Sequence, residues 1–200
     1  MPQLTLTFDN GPTTGVTDAV LEALAARRLP AVFFAIGENV RSAAGRALVE
    51  RAVTEGHLVG SHTLTHTVPL GRIEADGDLA AVEREIDEAQ SLLHGLTPDG
   101  LFRPYGAGGV IDDGLIGPHG RAHLARSGLT GVTWNSVPRD WIDPVGWFDR
   151  ALADIDEREH TVVVLHDVPG ACLARLDEFV AACADRGVEW RQDFPADCAL

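Results

Sequence analysis

The sequence contains no lysine. All sixteen of its basic residues are arginine, set against thirty acids, for a formal charge of −14. A surface this acidic repels nucleic acid and anionic lipid, which argues against both as partners. It also counts against long anionic polymers as substrates. With lysine absent altogether, arginine is a compositional habit of the chain, and a single Arg carries less weight as a signal. Cysteine is scarce as well. Cys172, Cys183 and Cys198 are odd in number, confined to the last thirty residues and without metal-ligand spacing. They suit a reduced chain better than a disulfide framework. No apolar run approaches the roughly 18 residues that a membrane span needs. The first strand begins within three residues of Met1, leaving no room for a basic and apolar leader. The expected location is therefore the cytoplasm, although an exported chain stripped of its leader reads the same. No pattern in the sequence sets an oligomeric state.

What is present is material for a core. Two hundred residues, 45% hydrophobic and 23% charged, fit one globular domain over residues 1–200. Along the chain, strand and helix patterns alternate. Strands are expected at 4–8, 31–36, 57–60, 100–102, 130–134, 161–165 and 188–190. Helices are expected at 17–28 with Thr17 as N-cap, 42–55, 78–94, 112–127, 147–156 and 172–186. Residues 78–94 carry Leu79, Val82, Ile86, Ala89 and Leu93 at the spacing of one buried face. The run at 31–36 is continuously apolar, as a strand buried on both faces of a parallel sheet requires, and 161–165 is a Val-rich buried strand. About seven strand–helix alternations predict an α/β fold, one parallel sheet closed or nearly closed into a barrel.

Five stretches depart from plain core and turn chemistry. Leu4–Phe8 runs as a buried strand and breaks at Asp9-Asn10-Gly11-Pro12, which delivers an acid and an amide at the mouth of the strand. Any strand-to-loop turn can contain such residues, so this stretch alone does not decide. In Ser61-His62-Thr63-Leu64-Thr65-His66, two histidines four apart can bind one metal through neutral imidazoles, or can be solvated loop residues. Arg103-Pro104-Tyr105-Gly106 offers a cation and a rigid turn. Pro138-Arg139-Asp140-Trp141 puts an acid and an aromatic at another strand exit. Val164-Leu165-His166-Asp167 ends a buried run in an ionisable pair, which core strands seldom do without a chemical or capping role.

In order and spacing these five pieces resemble the polysaccharide deacetylase family, the NodB homology domain also called carbohydrate esterase family 4, from Leu4 to about Asp167. The resemblance implies a deformed (β/α) barrel and metal-dependent removal of acetyl or similar small acyl groups from N-acetylated sugars or related amides. It implies Asp9 as the base that deprotonates metal-activated water and His166 as the acid that protonates the leaving amine. Asn10, His62 and His66 correspond to the metal ligands, with zinc expected and cobalt, manganese or nickel as alternatives. Arg103 corresponds to the residue that holds the base ionised, and Asp140 to the acid that orients His166. The backbone N–H of Tyr105 corresponds to an oxyanion donor, and Trp141 and Val164 to the wall of the acyl pocket. Three departures stand out. Asn10 replaces the usual Asp, the Arg103-Pro104-Tyr105 run is one residue short so that either Arg103 or Pro104-Tyr105 is expected to be displaced, and Val137 stands where Asp is common. A rival reading is a carbohydrate-binding domain that has lost its metal, and with it catalysis, through Asn10. The expected partner is a small-molecule or oligosaccharide substrate, with no nucleic acid and no membrane.

Overall fold

The computed structural model describes residues 1–97 and 100–200. Its centre is β1 (Gln3–Asp9), whose side chains alternate between two buried faces. Leu4, Leu6 and Phe8 point to the larger apolar cluster, while Thr5, Thr7 and Asp9 lie on the opposite face. β1 pairs with β2 (Val32–Ala35) on one side and with β6 (His160–His166) on the other. β3 (Leu58–Ser61), β4 (Leu101–Phe102) and β5 (Thr130–Gly131) extend the sheet beyond β2, and β7 (Glu189–Arg191) joins the first half of β1. Every pairing among these strands is parallel. The curled sheet is the deformed (β/α) barrel expected. Its seam, between β5 and β6, is bridged by one parallel contact of Ser136 with Val163.

The helices cover the outside. They are α1 (Val16–Ala25), α2 (Gly37–Val40), α3 (Ala43–Thr54), α4 (Leu70–Ala75), α5 (Leu79–Leu93), α6 (Pro118–Arg126), α7 (Trp147–Glu157) and α8 (Leu176–Asp185). Ser42 and Asp78 cap α3 and α5 by accepting the Gly45 and Ala81 N–H groups. Among the described residues, no helix is long and apolar enough to cross a membrane.

Several expectations need correction. Thr17 is not the cap of α1. Gly15 takes that place at φ 84, a left-handed conformation open to glycine, and frees the Thr17 hydroxyl for a partner across the fold. Leu79, the first residue of α5, is 42% exposed, so the buried face begins at Ala81 and Val82. The helix expected at 112–127 starts only at Pro118, because proline lacks the N–H a preceding turn would need and suits the first helical position. The strand expected at 130–134 stops at Gly131. Val132 leaves to pair with Ala199, and Ser136 crosses to β6. The helix expected at 172–186 opens with a tighter turn at Cys172–Arg175. α2 and α4 carried no periodicity long enough to announce them.

Candidate active site

The C-terminal ends of β1, β3, β4 and β6 and the loop after β5 converge on one pocket of about 340 Å³. Asp9 and His166 end β1 and β6 at the same level, paired in register. Both are buried, at 3% and 8% exposure.

Asp9 is held from below by Arg103, the residue just after β4. Arg103 is fully buried, with Nη1 donating to Asp9 Oδ1 at 2.9 Å and to Thr7 Oγ1 at 2.7 Å, and Nη2 donating to the Thr133 carbonyl at 2.9 Å. Its guanidinium lies 4.0 Å from the Phe34 ring centroid, so a cation that would be costly to bury alone is matched on every side but Nε. Burial pushes the Asp9 carboxyl up, yet the Arg103 guanidinium above all, with the charge of His166, holds it below its ordinary value.

Across the pocket, Asp140 holds His166 at two points. Its Oδ1 accepts from Nδ1 at 2.7 Å and its Oδ2 from the His166 backbone N–H at 2.8 Å. Burial alone would lower the pKa of the imidazole; the hydrogen bond and charge of Asp140 raise it above the ordinary histidine value. Nε2 is left for the pocket, with the Trp141 ring edge-on at 4.6 Å.

The loop after β3 brings in His62 and His66, whose ring centroids are 4.9 Å apart. His62 Nδ1 donates to the Arg103 carbonyl at 2.9 Å, which fixes the tautomer and leaves Nε2 with its lone pair, 3.6 Å from Asp9 Oδ2. Burial is the main cause that lowers both histidines, His66 to about 3, so both present neutral rings. Asn10 completes the group. Its side-chain oxygen is buried and has no hydrogen-bond partner in a pocket it lines. An orphaned amide oxygen beside two neutral imidazoles is a donor set that could take a divalent cation. No three His, Cys, Asp or Glu side chains form a metal-holding group among the described residues.

Asn10, Thr63, His66 and Arg139, in the loops that carry the site, have φ of 78, 62, 55 and 63, in the left-handed region that non-glycine residues seldom adopt; Arg28, in the turn after α1, does so too at φ 54. Asparagine tolerates this region best, which suits it to the first loop.

Arg103 reaches Asp9, and Tyr105 packs on His66 with ring centroids 3.8 Å apart. Trp141 and Val164 line the pocket, and Val137 does too, adding an apolar surface to that wall. Other residues gave no local signal. Glu85 of α5 accepts the Leu64 and Thr65 N–H groups at 3.0 and 2.9 Å and so pins the histidine loop. Asn39 donates to the Asn10 carbonyl at 3.0 Å. Trp134 closes one wall, with Nε1 bonded to the Gly109 carbonyl and its ring against Gly106, where a Cβ would sit 2.2 Å from it. These partners lie far apart in sequence, and only folding brings them together.

Residues 2–115 match the family model described as polysaccharide deacetylase. The chain belongs to the polysaccharide deacetylase family. Among its members, a chitooligosaccharide deacetylase of Sinorhizobium fredii is 35% identical, over 83% of this chain and 72% of that protein. Among solved structures, a family 4 carbohydrate esterase from Streptomyces lividans in complex with acetate superposes with a TM-score of 0.78, at 27% identity, over 99% of this chain and 96% of that one. A family 4 acetyl xylan esterase from Clostridium thermocellum in complex with a cobalt ion gives a TM-score of 0.74 at 25% identity, over 94% and 87%. Membership and these relatives support a deacetylase, an enzyme of N-acetyl amide bonds.

Proposed function

We propose that this chain is a metal-dependent N-deacetylase acting on an N-acetylated oligosaccharide or a smaller amide, with Asp9 as base and His166 as acid. The observation that carries the reading is the pairing of Asp9 with His166 on adjacent strands, each tuned by its own buried partner in opposite senses. A carboxylate kept ionised and an imidazole kept protonated are the two halves of acid–base amide hydrolysis.

The residues present fit a divalent cation, with Asn10 Oδ1, His62 Nε2 and the His66 ring as its holders. When bound, such a cation polarises the acyl oxygen and eases the ionisation of water. Asp9, locked by Arg103, accepts the proton of the attacking water. In this reading the Tyr105 backbone N–H serves the developing oxyanion, and Trp141, Val137 and Val164, which line the pocket, form the apolar wall for the acyl methyl. His166, steered by Asp140, gives its proton to the nitrogen as the C–N bond breaks, so that the amine leaves neutral. A domain that only binds sugar needs no such pair, which favours the enzyme over the binding reading.

His62→Ala and His66→Ala are expected each to abolish both metal uptake and acetate release while the thermal unfolding transition persists. Full activity of either variant in metal-free buffer would refute the proposal.

A further inference from the structure

Asp167 has no part in the chemistry above and does not line the pocket, yet it is 1% exposed and carries a carboxyl in the core. Its place follows from the register. Because Asp9 pairs with His166, the residues just beyond, Asn10-Gly11 on one strand and Asp167 on the other, face each other. The carboxyl lies against the Gly11 backbone so closely that a Cβ on Gly11 would sit 2.0 Å from Asp167 Oδ2. The same oxygen accepts the Thr17 hydroxyl at 2.5 Å, and Thr17 Oγ1 in turn accepts the Thr13 N–H at 2.7 Å. Asp167 Oδ1 has no partner. From the opposite side, Asn39 Nδ2 donates to the Asn10 and Gly11 carbonyls at 3.0 and 3.3 Å. The Asn10–Gly11 turn is therefore gripped from two sides.

A buried carboxyl with one unmatched oxygen is an expensive way to fill space, since apolar groups of the same volume are often neutral or better for stability. Burial raises this one to about 6, even though the Thr17 hydroxyl and the Gly11 backbone favour its charged form. What a carboxyl supplies and an apolar side chain does not is direction. Asn10 stands at φ 78, and its orientation decides where its amide oxygen points.

We propose that Asp167 is a positioning residue that, with Thr17, sets the Asn10–Gly11 turn so that the Asn10 amide oxygen faces His62 and His66 and Asp9 faces His166. The inference rests on the deacetylase reading only for what the positioned groups do. The clamp itself is a property of the loop.

Three variants test it: Asp167→Ala, Asp167→Asn, which keeps an acceptor for Thr17, and Thr17→Val. Hydrogen exchange over residues 9–17 and Co²⁺ affinity by calorimetry are the readouts. Asp167→Ala is expected to speed exchange in 9–17 selectively and to weaken Co²⁺ binding by about ten- to a hundredfold, the range for partners that orient ligands. Thr17→Val should move both readouts in the same direction, and Asp167→Asn should restore most of both. Unchanged exchange in 9–17 with unchanged Co²⁺ affinity in Asp167→Ala would overturn the proposal. So would faster exchange spread evenly over the whole chain, which marks a merely structural carboxyl. If the parent protein takes up no Co²⁺, the metal reading fails, and exchange in 9–17 still decides on Asp167.

Discussion

Asp140 grips His166 with both carboxylate oxygens, one on the ring Nδ1 at 2.7 Å and one on the backbone N–H at 2.8 Å. This double contact fixes which ring nitrogen faces the pocket, and it offsets the burial that would otherwise lower the imidazole pKa.

The pH dependence of kcat/KM follows from that balance. His166 must be protonated and its pKa is raised, so the alkaline limb should lie above the ordinary histidine value. Asp9 must be ionised and its pKa is lowered, so the acid limb should lie below the ordinary carboxylate value. Asp140→Asn removes the charge that favours the imidazolium, so the alkaline limb should move to lower pH while the acid limb stays. A pH–rate series on parent and variant checks this, and an unmoved alkaline limb would separate Asp140 from the proton donor.

Arg103→Met breaks a fully buried pair and leaves Asp9 as a lone buried charge, which costs roughly 3–5 kcal/mol of stability. Without the guanidinium, desolvation governs Asp9 and its pKa should rise. The acid limb then shifts to higher pH. Denaturant unfolding should show the loss, and adding Asp9→Asn to the variant should recover part of it. No recovery would mean that Arg103 serves packing alone.

Asn10→Asp adds a negative charge to a donor set that has none of its own. Contact with a cation is worth several kcal/mol even at an effective dielectric near 20, so affinity should rise about tenfold for each 1.4 kcal/mol gained. Calorimetric titration with Zn²⁺ or Co²⁺ measures it directly. Equal or weaker binding in the variant would show that residue 10 does not reach the ion.

Glu85→Ala leaves the Leu64 and Thr65 N–H groups unpaired and loosens the turn that carries His66. Metal affinity should fall by about ten- to a hundredfold, with little change in the exchange of β1. The same titration reads the outcome.

How much of this was legible beforehand depends on distance along the chain. The parallel barrel followed from continuous apolar runs such as Val162–Leu165 and from the regular alternation of elements. Motifs that end strands, such as Phe8-Asp9-Asn10 and Leu165-His166, pointed to the pocket because a core strand has no reason to finish on ionisable groups. β5 was overextended since Val132, Thr133 and Trp134 have strand-like side chains, while their backbone turns to meet Ala199 and β6. Thr17 looked like a cap because its neighbours gave no hint of Asp167, 150 positions away. Glu85 lay hidden on α5 for a like reason. Its position reads as an ordinary exposed-face acid until the β3 loop folds over it.

The central claim is metal-dependent deacetylation by the Asp9–His166 pair. Its most direct test is acetate release from N-acetylated chitooligosaccharides by protein stripped with a chelator and by the same protein reloaded with Zn²⁺ or Co²⁺, with Asp9→Asn and His166→Ala in parallel. The account predicts no release by the stripped protein, release on reloading, and a loss of at least about a hundredfold in each reloaded variant. Equal release before and after stripping, or an unaltered rate in Asp9→Asn, would contradict it.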